Sequence, residues 1–422
     1  MESSTRLKVG LWVLVLAIAA ALGCNRSEGT PGATNPVKPN YYAPVATPPA
    51  PGATTLPGGI AHYDVGGVPL PEPGVVVAEP AVFDNLTVFP ILASNQVDVG
   101  PVVDLDTALD RGVAEVREIG AREGGPSSSS SWALQPAIQQ QQLANGPPRA
   151  NQPLAQQMAG GGAEVGTLVI ENRGDFPIYV LAGTVVKGGK QDRQIGQDFI
   201  ISPKTKVPVD AFCVEHGRWS GQRGGKSTGG KFKTIKQLAN IEVRKAGQYE
   251  SDQGKVWKKV SAVNKANRKS SSSDSLLASL DDGEIVAKRA ALAGKVLRHL
   301  QTVAPARSVV GVAYAVNGRV KGVRWFVNHD VFSLFREVMV NTSAMDAITD
   351  QQGGATQGPP PKAATVARFV TEAAAAKTRK VKATQAGNVN EYVESDKAFG
   401  STTVQKMPSG KGVKMSSDFV AK

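Results

Sequence analysis

The chain has 422 residues, of which 45 are Gly and 27 Pro, and only 6% are aromatic. At roughly 100–200 residues per domain the length allows two to four domains, but so much Gly and Pro with so few large apolar groups leaves long stretches unable to offset their ordering entropy. These counts argue against a several-domain enzyme and a multispanning membrane protein, and predict one core domain with long unstructured flanks. The net charge of +12 is uneven: residues 25–125 carry 12 acids and 5 bases (−7), residues 204–269 carry 16 bases and 5 acids (+11), and residues 362–422 carry 11 bases and 5 acids (+6). A basic middle and a basic tail suit phosphates, anionic glycans or headgroups, although such asymmetry is more often a solvated surface.

The N-terminus is the most specific signal. Arg6 and Lys8 precede an apolar run over residues 9–21, the length of a signal-peptide core and short of a bilayer span. It ends in Ala21-Leu22-Gly23-Cys24, which resembles a bacterial lipobox except that Ala21 stands where an aliphatic residue is usual. The expectation is a signal peptide over 1–23, lipidation of Cys24, and membrane attachment through that lipid. Asn25, rather than Asp, leans towards the outer membrane. Residues 24–74, rich in Pro, Gly, Ala and Thr, read as a disordered tether. With Cys24 acylated, Cys213 has no partner for a disulfide within the chain.

Residues 75–93 (VVVAEPAVFDNLTVFPILA) read as one or two strands, and 104–120 as a helix with Leu105, Leu109, Val113 and Val116 on one face. Residues 124–162, with serine, glutamine and glycine runs, read as a disordered insertion. Residues 165–213 read as antiparallel β-structure, and alternation in its last strand places Cys213 on the apolar face. Residues 217–233 are glycine-rich and basic, and 235–260 are ambiguous. Residues 283–303 read as a helix with an apolar stripe of Val286, Ala290, Ala293, Leu297 and Leu300 and acids at its start. Asn317-Gly318 between two apolar runs is a hairpin signal. Residues 328–340 read as a helix turning Phe332, Phe335, Val338 and Met339 inward. Residues 346–422 read as a basic low-complexity tail with no stable fold. The fold class expected is α+β: mainly antiparallel β-structure with two or three packed helices, over a domain at 75–345.

Two segments concentrate unusual residues. One is Gly188-Gly189-Lys190-Gln191-Asp192-Arg193; the other is Cys213-Val214-Glu215-His216-Gly217-Arg218-Trp219-Ser220. A glycine pair permits close backbone approach, Arg offers a planar fork to phosphate or carboxylate, and Trp can stack on a ring. With an upstream LTVFPI strand, with Asn317-Gly318-Arg319, and with Trp325-Phe326-Val327-Asn328-His329-Asp330-Val331-Phe332, these segments resemble the bacterial ARG and rhodanese-phosphatase-superfamily-associated protein domain family. The resemblance covers about residues 80–345. That family is named for genomic association with ADP-ribosylglycohydrolases, so the resemblance implies a domain identity and candidate positions rather than a reaction. Where family members usually carry an acidic residue before the double glycine, this chain has Gly183-Thr184-Val185-Val186-Lys187, and no carboxylate role carries over there.

Other chemistries fit less well. Cys213 with His216 would make a thiol nucleophile, but an inward strand position favours a structural thiol. A metal site from Cys213, Glu215, His216 and His299 lacks paired ligand spacing. Residues 220–227 lack the first glycine of a phosphate loop. Glu215–Arg218 and Asp192–Arg193 also read plausibly as turn-fixing ion pairs. The leading expectation is a binding module in which Gly188, Gly189, Lys190, Gln191, Arg193, Glu215, Arg218 and Trp219 hold an anionic, nucleotide- or ADP-ribose-like ligand. It needs no cofactor or metal, and nucleic acid is not an expected partner. The alternatives are a structural cell-envelope lipoprotein and a hydrolase with Glu215 as catalytic base.

Overall fold

The computed structural model describes residues 53–56, 60–119, 166–407 and 410–422. The signal peptide, Cys24 and the 124–162 insertion lie outside them. A ten-stranded antiparallel sheet forms the backbone of the fold. From one edge its strands are Thr378–Ala383, Val389–Glu394, Ala398–Lys406, Gly412–Ala421, Arg319–Phe326, Val309–Val316, Leu86–Ala93, Val75–Val77 and Val68–Pro69, with Ala81–Phe83 also paired to Leu86–Ala93. Both faces are covered, which is why Val309–Val316 (VVGVAYAV) is apolar throughout. On one face Val88, Val312 and Phe326 pack with Val296 and Leu300 of helix Gly283–Thr302 and Phe332 and Phe335 of helix His329–Gln352. On the other, Phe89, Ile91, Ala313 and Trp325 pack on Val366 and Val370 of helix Ala363–Ala374.

A second sheet, of six strands, runs Phe232–Leu238, Thr184–Gly188, Arg193–Ile195, Thr205–Cys213, Thr167–Asn172 and Ala114–Glu118. Helices Ile241–Gln248 and Gln253–Ala266 cover it, with Val243, Val256 and Val260 against Val185, Phe212 and Val214. The α+β, mainly antiparallel expectation is met. The ambiguous stretch resolves into the end of one strand and these two helices, so five helices of eight or more residues are present among the described residues, against the two or three expected.

Local signals explain several boundaries. Asn317 (φ 51°) and Gly318 (φ 80°) make the two positive-φ residues of the hairpin. Asp282 caps its helix by accepting from Glu284 N and Ile285 N, and Asn328 accepts from Val331 N at 2.8 Å.

Four expectations need correction. Residues 346–422 are not an unstructured tail. Gly412–Ala421 lies between Arg319–Phe326 and Ala398–Lys406 inside the large sheet. Its polar residues Ser416, Ser417 and Asp418 are buried among hydrogen-bonding partners rather than solvated, so composition alone reads it as loop. The 104–120 segment is a short helix, Leu105–Asp110, followed by strand Ala114–Glu118, whose alternation buries Ala114, Val116 and Glu118. The tether expected to 74 already contains strand Ile60–Tyr63, paired with Asn95–Val97. In helix Gly283–Thr302 the buried stripe is Ile285, Leu292, Ala293, Val296 and Leu300, and Val286 is 37% exposed. No helix among the described residues is long and apolar enough to cross a membrane.

Candidate functional site

The two motif segments meet at one end of the second sheet. Arg193 pairs in register with Cys213, so the turn before Arg193 and the loop after Cys213 leave the sheet side by side. The turn requires glycine: Gly188 and Gly189 have φ of 150° and 46°, and a Cβ would drive into the Lys231 carbonyl at the first and the Phe232 ring at the second.

Asp192, fully buried, is the first anchor. Its Oδ1 accepts from Gly188 N at 3.1 Å and Arg223 Nη1 at 2.6 Å, and its Oδ2 from Arg223 Nη2 at 2.9 Å and Ser275 Oγ at 3.1 Å. The Arg223 contact is the bidentate fork that guanidinium makes with carboxylate. Glu215, 1% exposed, is the second. Its Oε2 accepts from Asp192 N at 3.0 Å and Arg218 Nη2 at 2.8 Å, and its Oε1 from Ser273 Oγ at 2.7 Å. Burial pushes the Glu215 carboxyl up, but hydrogen bonds from Arg218, Ser273 and Asp192 N outweigh it and hold the pKa below its ordinary value.

Arg218 ties the segments together. Nε and Nη2 reach Glu215, Nη2 also reaches Gly188 O at 3.1 Å, and Nη1 donates to Gly189 O at 2.7 Å and Ser220 O at 3.0 Å. Arg193 is buried, with Nη1 3.3 Å from Gln191 Oε1 and Nη2 3.8 Å from Glu118 Oε1. Gln191 is buried and donates to His216 O at 3.2 Å. Lys190 donates its backbone N–H to Glu118 Oε1 at 2.7 Å and is half-buried, as is Trp219.

The structure therefore brings all eight predicted ligand-binding positions into one neighbourhood but divides them. Gln191, Arg193, Glu215 and Arg218 face the protein's own groups, while Lys190 and Trp219 remain partly exposed. Cys213 is buried, and burial pushes its thiol pKa up, which suits a structural thiol. His216 packs on Trp257 with ring centroids 4.4 Å apart, whereas His299 packs edge-on to Phe83. Among the described residues no group of His, Cys, Asp and Glu could hold a metal.

Sequence reasoning paired Asp192 with Arg193, whereas its carboxylate is held by Arg223, and it gave no role to Glu118, Arg223, Ser273 or Ser275. Glu118 supplies a carboxylate at the double glycine, the place where the preceding segment lacks one. The period-two pattern of AEVRE was the signal that would have placed it on a strand.

With this geometry in place, the family model decides the membership. It matches residues 74–416. The chain belongs to the family of the ARG and Rhodanese-Phosphatase-superfamily-associated Protein domain. No curated protein and no solved structure matches it. The family match ends inside the last strand, Gly412–Ala421, well beyond residue 345, in accord with the C-terminal strands of the large sheet.

Proposed function

We propose that the protein is a lipid-anchored, extracytoplasmic binding module for an anionic, nucleotide- or ADP-ribose-like ligand. Lys190 and Trp219 make the direct contacts, while Gly188, Gly189, Gln191, Arg193, Glu215 and Arg218 position them. The observation that carries this reading is the strap made by Arg218. One guanidinium spans Glu215 and the carbonyls of Gly188, Gly189 and Ser220, fixing the loop that bears Trp219 beside the turn that bears Lys190. A cation on the turn and an indole on the adjoining loop suit a phosphate linked to a flat ring. The family's association with ADP-ribosylglycohydrolases supports the ligand class, and the 1–24 segment supports the anchor. A hydrolytic base needs a carboxylate that reaches substrate, whereas Glu215 is buried and its oxygens already accept several hydrogen bonds. The closure of this network instead favours a structural envelope lipoprotein as the second reading.

A thermal-shift screen of the full-length chain against nucleotides, ADP-ribose, sugar phosphates and anionic glycans tests the site. A ligand at a hundredfold over its Kd adds about 2.7 kcal/mol. The expected result is a hit lost in a Lys190→Ala/Trp219→Ala double variant of unchanged melting temperature. A hit retained in that variant removes the site, and no hit across the panel moves the reading to the structural lipoprotein. Cys24→Ala is expected to move the protein from the membrane fraction to the soluble one.

A further inference from the structure

The large sheet ends differently on its two sides. One edge is Val68–Pro69, two residues long and closed by a proline that has no N–H to offer. The outer strands of the second sheet approach each other: Arg117 bridges to Lys231, and Glu118 N donates to Gly230 O at 3.2 Å. The far edge of the large sheet is Thr378–Ala383 (TRKVKA). It pairs with Val389–Glu394 residue for residue, without a bulge, and has no strand on its other side among the described residues. A row of its backbone N–H and C=O groups therefore faces outward, a template for another strand.

The side chains of this edge select what can pair with it. Every residue of the strand except the half-buried Lys382 is exposed, and Val381 is 67% exposed. Alternation puts Lys380 and Lys382 on one face and Arg379 and Val381 on the other. Lys377, Lys380 and Lys382 make no ion pair among the described residues. Lys382 Nζ lies 5.2 Å from the centroid of the Tyr392 ring instead. The acids of the neighbouring strand are placed elsewhere: Glu391 lies opposite Val381, and Glu394 pairs with Lys422 at 2.9 Å. Lysines on an edge repel a second copy of the same edge, so self-pairing is disfavoured. A polyanion without a peptide backbone meets the charges but cannot complete the ladder.

We propose that Thr378–Ala383 is a docking edge for an extended acidic peptide segment of a partner protein, which adds to the large sheet as a further strand. Residues directly opposite each other share a face of the sheet. The segment therefore carries acids opposite Lys380 and Lys382 and an apolar residue between them, opposite Val381. Backbone pairing supplies the affinity, and the acid–apolar–acid alternation supplies the specificity. The edge is separate from the strap loop, and the proposal does not rest on the ligand assigned there.

The test uses the full-length chain and a fluorescent peptide of alternating Glu and Val, at constant ionic strength. One control peptide has the same sequence with N-methyl groups on two adjacent central residues, which blocks both of its edges and keeps its charge. The other alternates Lys and Val. The expected result in anisotropy is saturable binding of the Glu peptide, at least tenfold weaker binding of the methylated one, and none of the Lys peptide. Lys380→Glu, at an exposed position without an ion pair, should weaken the Glu peptide at least tenfold at unchanged melting temperature. Hydrogen–deuterium exchange should show new protection at residues 378–383 on peptide addition. Equal binding of the methylated peptide, or an unchanged affinity in Lys380→Glu, would overturn the proposal. No saturable binding also overturns it and leaves the lysines as a guard against aggregation. Should Lys380→Glu fail to fold, exchange in the wild type decides: protection at 378–383 supports the edge, and its absence there overturns it.

Discussion

The two buried ionic groups are built from the same residue types and behave differently. Around Asp192 and Glu215 the network closes on Arg218 and Arg223, and only Nε of the neighbouring Arg193 is left without a partner there. Both carboxylates are saturated, and Arg218 gives every nitrogen to Glu215 or to a backbone carbonyl, while the arginines themselves remain 12% and 31% exposed. Around Asp198 and Asp418, which accept from Arg324 and Arg244, the carboxylates are satisfied but the arginines are not: Nε of Arg244 and Nε and Nη1 of Arg324 are buried with no hydrogen-bond partner. A closed network at a surface loop fixes backbone. An open one in the interior leaves buried donors unpaired. Desolvation makes both costly, so neither is explained by stability alone.

The contrast is sharpest in what removal should cost. Asp198→Ala strands Arg324 in the core and deletes an acceptor used by Tyr179, Thr403 and Ala182 N, so about 3–5 kcal/mol should be lost in urea unfolding. Arg223→Ala, at the rim of the strap, should cost about 1 kcal/mol by the same measurement. Equal losses would erase the distinction.

The groups also differ in acid. Burial raises Asp346, which accepts from Tyr314 Oη at 2.7 Å, to about 6. Its folded pKa exceeds its unfolded one, so its contribution is complete below about pH 4 and disappears as pH rises through 6. At 1.36 kcal/mol per unit this amounts to about 3 kcal/mol. Glu215 runs the other way: its depressed pKa gives stability above the usual carboxylate range that is lost as pH falls. Urea midpoints at pH 4 and pH 7.5 should therefore show a smaller decline on the alkaline side for Asp346→Asn than for wild type, and a smaller loss in acid for Glu215→Gln.

Smaller effects test the strap's geometry. Gly189→Ala forces a positive φ and a clash with Phe232, and should cost about 1–3 kcal/mol in the same assay. Lys190→Ala and Trp219→Ala should each change stability by less than about 0.5 kcal/mol, yet weaken ligand binding at least tenfold by calorimetry. A stability loss without an affinity loss would make them structural residues.

How much of this was legible beforehand follows burial chemistry. Apolar strands such as Val309–Val316, the Asn317-Gly318 turn and the capped helix at Asp282 announced themselves, because each carries its own local signal. The two motif segments were visible as well, and the structure places them together. What stayed hidden was polar and non-local. Strand Gly412–Ala421 is held by Ser416 and Asp418 bonding to Tyr179 and Arg244, residues 237 and 174 positions away. Glu118 reads as a helix residue until its strand pairs with Thr167–Asn172. The division between ligand contacts and strap residues depends on where Arg218 spends its donors, which no spacing reveals.

The central claim is that Arg218 holds the loop in place and is not itself a ligand contact. Hydrogen–deuterium exchange on the full-length chain and its Arg218→Ala variant, each with and without the ligand found in the screen, tests it most directly. The account predicts faster exchange in the variant confined to residues 188–190 and 216–230, with weaker ligand binding in proportion to the lost protection. Unchanged exchange in those segments together with abolished binding would contradict it and make the Arg218 guanidinium the binding group.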